Sequence, residues 1–306
     1  MRRRRECSMR KPNLFLVGGP KCGTTSLHEY LAGHPQIFMC TPKEPCYFDQ
    51  DLPWPDSPRS ETEYLRLFDS ANGRHLVIGE ASTNYLYSQV AVRNILGFNS
   101  EARFIVMVRN PIDMAMSLHS YSVQEFTEDV ADFEAAWRLQ DERRNGRRLP
   151  TVNYQPDFVL YGPFCRLGEQ LQRLYAQVER SRVHVVVFDD LNADPAGVYR
   201  ETLGFLGLKD DGRRIYAVRN VTGVPRFKTV HRLLASLLAV RQSLPVPRLG
   251  LGVFNGLKQL NVVPGARKGI SEDFRRELSD YFASDVELLS SLIHRDLTSW
   301  LQPRPE

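Results

Sequence analysis

The feature that most constrains the fold is an apolar stretch that runs directly into a glycine-rich loop and then into a helix. Asn13–Gly18 is predicted to be a buried strand, the loop GGPKCGTTS occupies residues 18–26, and a helix is predicted over Thr24–Ala32. Glycine permits tight turns, and the amide groups at the start of a helix attract anions. The segment therefore predicts a strand–loop–helix anion site in an α/β protein.

The same alternation of apolar strand and amphipathic helix continues along the chain. Further strands are predicted at Leu76–Gly79, Arg103–Arg109 and Val183–Phe188. Helices are predicted from Pro111, from Pro195 to Leu206, and over Leu233–Val240 and Asp273–Leu292. Strands that alternate with helices favour a central parallel sheet flanked by helices. We expect one three-layer α/β domain.

Composition and charge exclude several classes of protein. Apolar residues make up 42% and charged residues 25%, which excludes a disordered, collagen-like or coiled-coil chain. The net charge of +4 arises from residues 1–11, which carry six basic residues and one acidic residue and leave residues 12–306 at −1. We expect residues 1–11 to be a disordered basic tail, residues 12–306 to be the domain, and nucleic acid not to be a partner.

The five cysteines are an odd number in a long chain, and no pair has CxxC spacing. This pattern favours reduced thiols over a disulfide scaffold and argues against a zinc site. No apolar run reaches the length of a transmembrane segment. We therefore predict no metal, no transmembrane segment and a cytoplasmic location, and the sequence leaves the oligomeric state open.

The glycine-rich loop differs from a Walker A sequence. Gly18 and Gly23 have the spacing of GxxxxGK[ST], but the lysine lies inside the loop at Lys21. Lys21 supplies a full charge, and the hydroxyls of Thr24–Ser26 supply further donors. A P-loop-type nucleotide or small-molecule kinase remains one alternative, and a non-catalytic nucleotide-binding protein is another.

The loop resembles the 5′-phosphosulfate-binding loop of sulfotransferases that use 3′-phosphoadenosine 5′-phosphosulfate (PAPS). Arg109–Ser117, RNPIDMAMS, is similar to the 3′-phosphate motif of that family. The resemblance implies a P-loop-NTPase-like fold and transfer of a sulfuryl group to a hydroxyl or amine of a carbohydrate or small metabolite, with 3′-phosphoadenosine 5′-phosphate (PAP) as product. The cofactor-binding residues that it implies are Lys21, Cys22, Gly23, Thr24, Thr25, Ser26, Arg109, Ser117, Tyr161, Arg267, Lys268 and Gly269.

Two further segments resemble the heparan-sulfate sulfotransferases and their bacterial relatives. They are Lys43–Phe48, KEPCYF, and Gly79–Leu86, GEASTNYL. The resemblance implies that Glu44 is the general base of an in-line displacement. It also implies that Lys21 neutralises charge on the leaving phosphate.

Two other residues remain candidates for the base. Glu80 lies at the end of the second predicted strand, directly after Gly79, and His119 is the third candidate because cytosolic small-molecule sulfotransferases use a histidine. The residues expected to contact the acceptor are Lys43, Glu80 and His119. A basic cluster is interpreted as a solvated helix end, with contact to an acidic acceptor as the alternative; it consists of Arg143, Arg144, Arg147 and Arg148.

Overall fold

The structure is a computed structural model that describes residues 10–52, 54–151, 155–217, 223–225, 262–264 and 269–302. Its described residues divide into two compact units. The first lies within residues 1–110, 166–219 and 284–300, and the second within residues 111–165, 220–283 and 301–306. The disordered tail over residues 1–11 and the domain boundaries of 12–306 stay predictions.

The first unit is built on a five-stranded parallel sheet with the strand order β2-β3-β1-β4-β5. The strands are β1 (Leu14–Gly18), β2 (Ile37–Met39), β3 (Val77–Ala81), β4 (Arg103–Val108) and β5 (Val183–Val187). Every residue of β1 and β3 is buried, which explains why these strands are almost continuously apolar. The predicted α/β class with a parallel sheet flanked by helices is confirmed.

The described helices match the expected pattern in part. They are α1 (Thr24–Ala32), α2 (Glu61–Arg66), α3 (Ala91–Phe98), α4 (Pro111–Gln124), α5 (Phe133–Arg138), α6 (Gln140–Arg144), α7 (Tyr161–Phe164), α8 (Leu167–Tyr175), α9 (Phe188–Ala193), α10 (Pro195–Leu206) and α11 (Glu272–Ile293). Of these, α1, α4, α10 and α11 lie where the sequence predicted, and the other helices were not predicted. The carboxylate of Asp194 accepts the amide N–H of Gly197 and Pro195 opens α10, so this helix starts where the sequence predicted. The predicted helix Leu233–Val240 lies outside the described residues.

The second unit contains α4 to α7 and an aromatic cluster. The ring of Phe133 lies 5.8 Å from that of Phe274, and the ring of Trp137 lies 5.9 Å from that of Phe282. Two short antiparallel strands, β6 (Gly223–Pro225) and β7 (Val262–Pro264), also belong to this unit. In the part of the chain that the structure describes, no helix combines the length and apolar character needed to cross a bilayer.

The order of the sheet determines where chemistry can take place in the first unit. β1 lies between β3 and β4, with Leu16 paired to Ala81 on one side and to Ile105 on the other. Parallel strands end at the same edge of a sheet, and ligands of open α/β sheets bind outside that edge. The segments that follow β1, β3 and β4 therefore meet at one edge.

Candidate active site

The loop between β1 and α1 forms a tight backbone turn. Gly18 has φ +132°, and a Cβ on it would lie 2.5 Å from the backbone nitrogen of Met107 in β4. Gly23 has φ +87° and precedes α1, with no side chain capping the helix. The amides in the first turn of a helix lack partners within the helix. The loop thus has the strand–loop–helix geometry that the sequence predicted, and its role in binding an anion stays a prediction.

Cys22 contributes to this loop through its backbone, because its thiol is buried and neutral. Burial raises the pKa of the Cys22 thiol to about 12. Its Sγ lies 3.7 Å from the carbonyl oxygen of Pro20. A thiol of such high pKa does not supply a thiolate at neutral pH.

Arg109 follows β4 and is tied to the glycine-rich loop. Its Nη1 donates a hydrogen bond of 2.8 Å to the carbonyl oxygen of Lys21. Its guanidinium lies 4.3 Å from the centre of the Phe188 ring, at the start of α9. A Cβ on Gly23 would lie 3.0 Å from carbons of Phe188 and Leu191. Arg109 is therefore held against the backbone of the loop that carries Lys21.

Lys43 and Glu44 lie beside the start of α1. Lys43 Nζ is 2.8 Å from Glu44 Oε1 and 3.4 Å from Thr24 Oγ1. Thr83 Oγ1 donates to Glu44 Oε2 at 2.9 Å, and the Glu44 amide donates to the carbonyl oxygen of Ala81. The Glu44 side chain keeps 36% of its surface exposed, so its carboxylate can reach an incoming molecule.

Glu80 is placed differently from the expected contact with an acceptor. The residue is 0% exposed, and its carboxylate accepts hydrogen bonds from the hydroxyls of Tyr64, Ser82 and Tyr85. Burial raises the pKa of Glu80 to about 7, although these hydrogen bonds act in the opposite direction. Of the two carboxylates, only Glu44 is open to solvent.

A model of the sulfotransferase domain family matches residues 11–222. The chain belongs to this family. A mouse (Mus musculus) heparan sulfate glucosamine 3-O-sulfotransferase 3A1 is 27% identical over 211 residues, which are 67% of this chain and 48% of the relative. The chain thus spans about half the length of the curated relatives that it matches most extensively. The family resemblance inferred from the sequence is confirmed.

Solved structures agree with the family assignment. A sulfotransferase from Alicyclobacillus acidocaldarius is 28% identical, with a TM-score of 0.71, covering 96% of this chain and all of that one. A mouse sulfotransferase, SULT7A1, in complex with PAP has a TM-score of 0.50 at 14% identity, covering 93% of this chain and 89% of that one. The second match shows that the fold is shared.

The residues of the first unit suit the nucleotide that sulfotransferases of this family use. The glycine-rich loop has a close backbone approach at Gly18, and Gly23 leaves the start of α1 without a side chain in the way. Thr24 and Ser26 are buried, and Lys21 and Arg109 contribute two positive charges. This donor set matches a phosphate-bearing ligand.

Further expected site residues lie in the second unit. Ser117 is buried on α4. The His119 ring is also buried, and its Nε2 lies 2.8 Å from the carbonyl oxygen of Val130, so this nitrogen acts as a donor. Burial lowers the pKa of His119. Gly269 is exposed, while Arg267 and Lys268 lie outside the described residues.

Tyr161 belongs to a buried polar network in this unit. Its hydroxyl donates to Glu128 at 2.6 Å, and both Glu128 oxygens accept from Arg143 at 2.7 Å. The side chain of Arg143 is 0% exposed. The interpretation of Arg143 as part of a solvated helix end is therefore wrong, because the guanidinium pairs with a carboxylate from outside its own helix. Arg144, by contrast, is exposed and pairs with Asp141.

Sequence reasoning missed the hydroxyl groups that surround Glu44 and Glu80. Thr83, Ser82 and Tyr85 belong to the segment GEASTNYL, which carried only a family resemblance. The sequence did contain a signal for them, because three hydroxyl side chains follow closely after β3. This strand ends at the edge of the sheet where the segments after β1 and β4 also lie. Phe188, which supports Arg109, stood at the end of a predicted strand and gave no comparable signal.

Proposed function

We propose that this chain transfers the sulfuryl group of PAPS to a hydroxyl or amine acceptor, with Glu44 as general base. The match to the sulfotransferase domain over residues 11–222 supports the reaction class. The anion-binding turn between β1 and α1, with Lys21 and Arg109 beside it, supports binding of a bisphosphate nucleotide.

One observation carries the proposal for the site. Lys43 Nζ joins Thr24 of the glycine-rich loop to the carboxylate of Glu44. This contact places an exposed carboxylate close to the predicted donor site, and a base for the acceptor has to lie near the donor. Glu80 and His119 are buried, which favours Glu44 over both of them as the base.

Each residue has a defined task in this proposal. PAPS, when bound, supplies the sulfuryl group and a nucleotide leaving group. Lys21 places positive charge at the leaving phosphate, and removal of such a group costs about 3–4 kcal/mol in the transition state of other enzymes. Glu44 accepts the proton of the acceptor hydroxyl or amine, and Lys43 and Thr83 hold its carboxylate in place.

For the acceptor we propose a carbohydrate or a small metabolite. Similarity to relatives named heparan sulfate glucosamine 3-O-sulfotransferases favours a carbohydrate hydroxyl. We also propose a cytoplasmic location and no nucleic-acid partner. Within the described residues, the four cysteines are buried and free, which fits a reducing compartment.

Calorimetry with two nucleotides tests the reaction class. We expect PAP to bind without magnesium and ATP with magnesium to bind more weakly. Transfer from radiolabelled PAPS is then measured with desulfated heparan oligosaccharides and with phenols. Tight magnesium-dependent binding of ATP together with absence of PAP binding would favour a kinase, and PAP binding without any transfer would favour a non-catalytic protein.

Two variants separate the cofactor site from the base. Lys21→Ala should lose both PAP affinity and turnover, while Lys209→Ala, which removes an exposed lysine, should match the wild-type protein. Glu44→Gln should lower turnover by roughly 10²–10⁴-fold with PAP affinity nearly unchanged. Full turnover in Glu44→Gln would show that another group takes the proton.

A further inference from the structure

A fully buried carboxylate lies next to the Glu44 loop, which we define as residues 43–48. Glu80 Oε1 accepts hydrogen bonds from the hydroxyls of Tyr64 at 2.5 Å and Tyr85 at 3.1 Å. Its Oε2 accepts one from Ser82 at 2.7 Å. Both oxygens of Glu80 therefore act as acceptors.

Two of these hydroxyls also hold the backbone of the Glu44 loop. Ser82 Oγ accepts the amide N–H of Cys46 at 3.1 Å. Tyr85 Oη accepts the amides of Tyr47 at 2.9 Å and Phe48 at 3.3 Å. A hydroxyl has a single hydrogen. Because the hydroxyls of Ser82 and Tyr85 accept from the loop, their hydrogens point to the carboxylate.

The loop adopts a backbone conformation that needs such support. Glu44 has φ 63° and Cys46 has φ 48°, both in the left-handed region that residues with a side chain rarely adopt. Conformations of this kind persist only where surrounding contacts impose them. The hydrogen bonds that the backbone amides donate to Ser82 and Tyr85 begin two residues after Glu44. They therefore fix the chain close to the Glu44 carboxylate.

We propose that Glu80 is a positioning residue for Glu44, whose carboxylate orients the hydroxyls of Ser82 and Tyr85 so that they hold the Glu44 loop in one conformation. The catalytic part of this role rests on the proposed function, because it takes Glu44 as the base. The orienting part is a property of the folded chain alone.

The charge of Glu80 is essential to this arrangement. A protonated Glu80, or a glutamine in its place, would point a hydrogen of its own at one of these hydroxyls. The hydrogen of that hydroxyl already points at residue 80, so the two hydrogens would face each other. Burial raises the pKa of Glu80 to about 7, so the arrangement should weaken as the pH falls below that value. Several titratable groups influence the pKa of Glu80 or have a pKa that Glu80 influences. They are Glu44, Asp49, Cys40, Cys46, Tyr64 and Tyr85.

Hydrogen–deuterium exchange of single amides tests the proposal in the whole chain and needs no acceptor. In Glu80→Gln we expect the amides of Cys46, Tyr47 and Phe48 to exchange about tenfold faster or more, after correction for intrinsic rates. The amides of β1 should keep their wild-type rates. Tyr64→Phe is the matched control, because Tyr64 donates to Glu80 and, among the described residues, forms no hydrogen bond with the Glu44 loop.

Two further measurements separate positioning from general stability. In the wild-type protein, protection of the same three amides should fall as the pH is lowered from about 8.5 to 5.5, and Glu80→Gln should remove this dependence. For transfer from PAPS to desulfated heparan oligosaccharides, kcat should fall in Glu80→Gln while KM and PAP affinity stay close to wild type. In Ser82→Ala, the Cys46 amide alone should exchange faster.

Several outcomes would overturn the proposal. These are wild-type exchange at the three amides in a folded Glu80→Gln protein, or pH-independent protection in the wild type. If Glu80→Gln does not fold, an unchanged Cys46 amide in Ser82→Ala overturns it. If the wild-type protein transfers nothing from PAPS, but the three amides exchange faster in Glu80→Gln, the proposed function fails. The orienting role of Glu80 then still holds.

Discussion

The guanidinium of Arg109 lies 4.3 Å from the centre of the Phe188 ring, with its Nη1 bonded to the carbonyl oxygen of Lys21. The aromatic ring at the start of α9 thus supports a cation at the end of β4. In the proposed function Arg109 binds a phosphate, and an arginine that is oriented in advance loses less entropy on binding.

We expect Phe188→Leu to weaken PAP binding about three- to tenfold, since cation–π contacts contribute roughly 0.5–2 kcal/mol. Calorimetric titration with PAP measures the effect. Phe205→Leu is the matched control, because Phe205 lies 6.0 Å from the Arg103 guanidinium, which belongs to another part of the unit. Equal affinity in the two variants would show that Phe188 does not orient Arg109.

Lys43→Met should lower turnover more than cofactor affinity. The ammonium group holds Glu44 at 2.8 Å, whereas its contact with Thr24 is longer, at 3.4 Å. We expect kcat for sulfuryl transfer to fall roughly 10–100-fold, in line with the loss of a well-placed catalytic geometry. Lys209→Met serves as the surface control. A loss of PAP affinity with unchanged kcat would instead assign Lys43 to cofactor binding.

Asp49→Asn should stabilise the protein at pH 8. Asp49 is 1% exposed, and within the described residues neither carboxylate oxygen has a hydrogen-bond partner. Burial, together with Glu80, Asp51 and Glu44, raises the pKa of Asp49 from 3.8 to about 7. The folded state therefore binds the proton more tightly than the unfolded state, and this group makes folding less favourable as the pH rises from about 4 to 7.

Thermal and urea unfolding at two pH values measure this effect. At pH 8 we expect the unfolding free energy of Asp49→Asn to exceed that of the wild type by about 2 kcal/mol or more. The difference should vanish at about pH 3, below the unfolded pKa of 3.8, where Asp49 is protonated in both states. Asp69→Asn, at an exposed position, is the control. If Asp49→Asn is less stable than wild type at pH 8, Asp49 has a partner that compensates for the cost of burying its charge.

Arg143→Met should destabilise the second unit strongly. Removal of one partner from a buried ion pair costs about 3–5 kcal/mol, because the remaining charge is left in the interior. Arg144→Met, which removes an exposed pair with Asp141, should cost less than about 1 kcal/mol. Urea unfolding compares the two variants, and similar midpoints would contradict a structural role for the Arg143–Glu128 pair.

The Arg143–Glu128 pair also makes the stability of the fold depend on pH, with a sign opposite to that of the Asp49 effect. Burial by itself would raise the pKa of Glu128, but hydrogen bonds from Arg143 and Tyr161 bring it below the ordinary value of 4.5. The stabilisation is therefore present above pH 4.5 and is lost as the pH falls through the lower folded pKa. Glu128→Gln should remove this loss, as unfolding followed between about pH 5 and 3 would show.

Local patterns in the sequence were sufficient for much of the fold. The limits of α1 were predicted without error, since a glycine turn precedes the helix and Gly33 follows it. Strand β2 was missed, because three residues, Ile37–Met39, are too short to show a period. Its identity depends on pairing with β3, a contact between segments that are distant in sequence.

The sequence by itself determined the class of fold, the strand–loop–helix turn at residues 18–26 and the family, because each depends on residues that are close together in the chain. It also named Glu44 as the expected base, with Glu80 as the rival and His119 as a third candidate. Only the tertiary structure showed how differently these three side chains are surrounded. Burial and hydrogen-bond partners depend on side chains brought together from distant segments, and these leave Glu44 exposed while they enclose Glu80 among three hydroxyls. The same long-range packing turned Arg143 from an expected surface charge into a buried one.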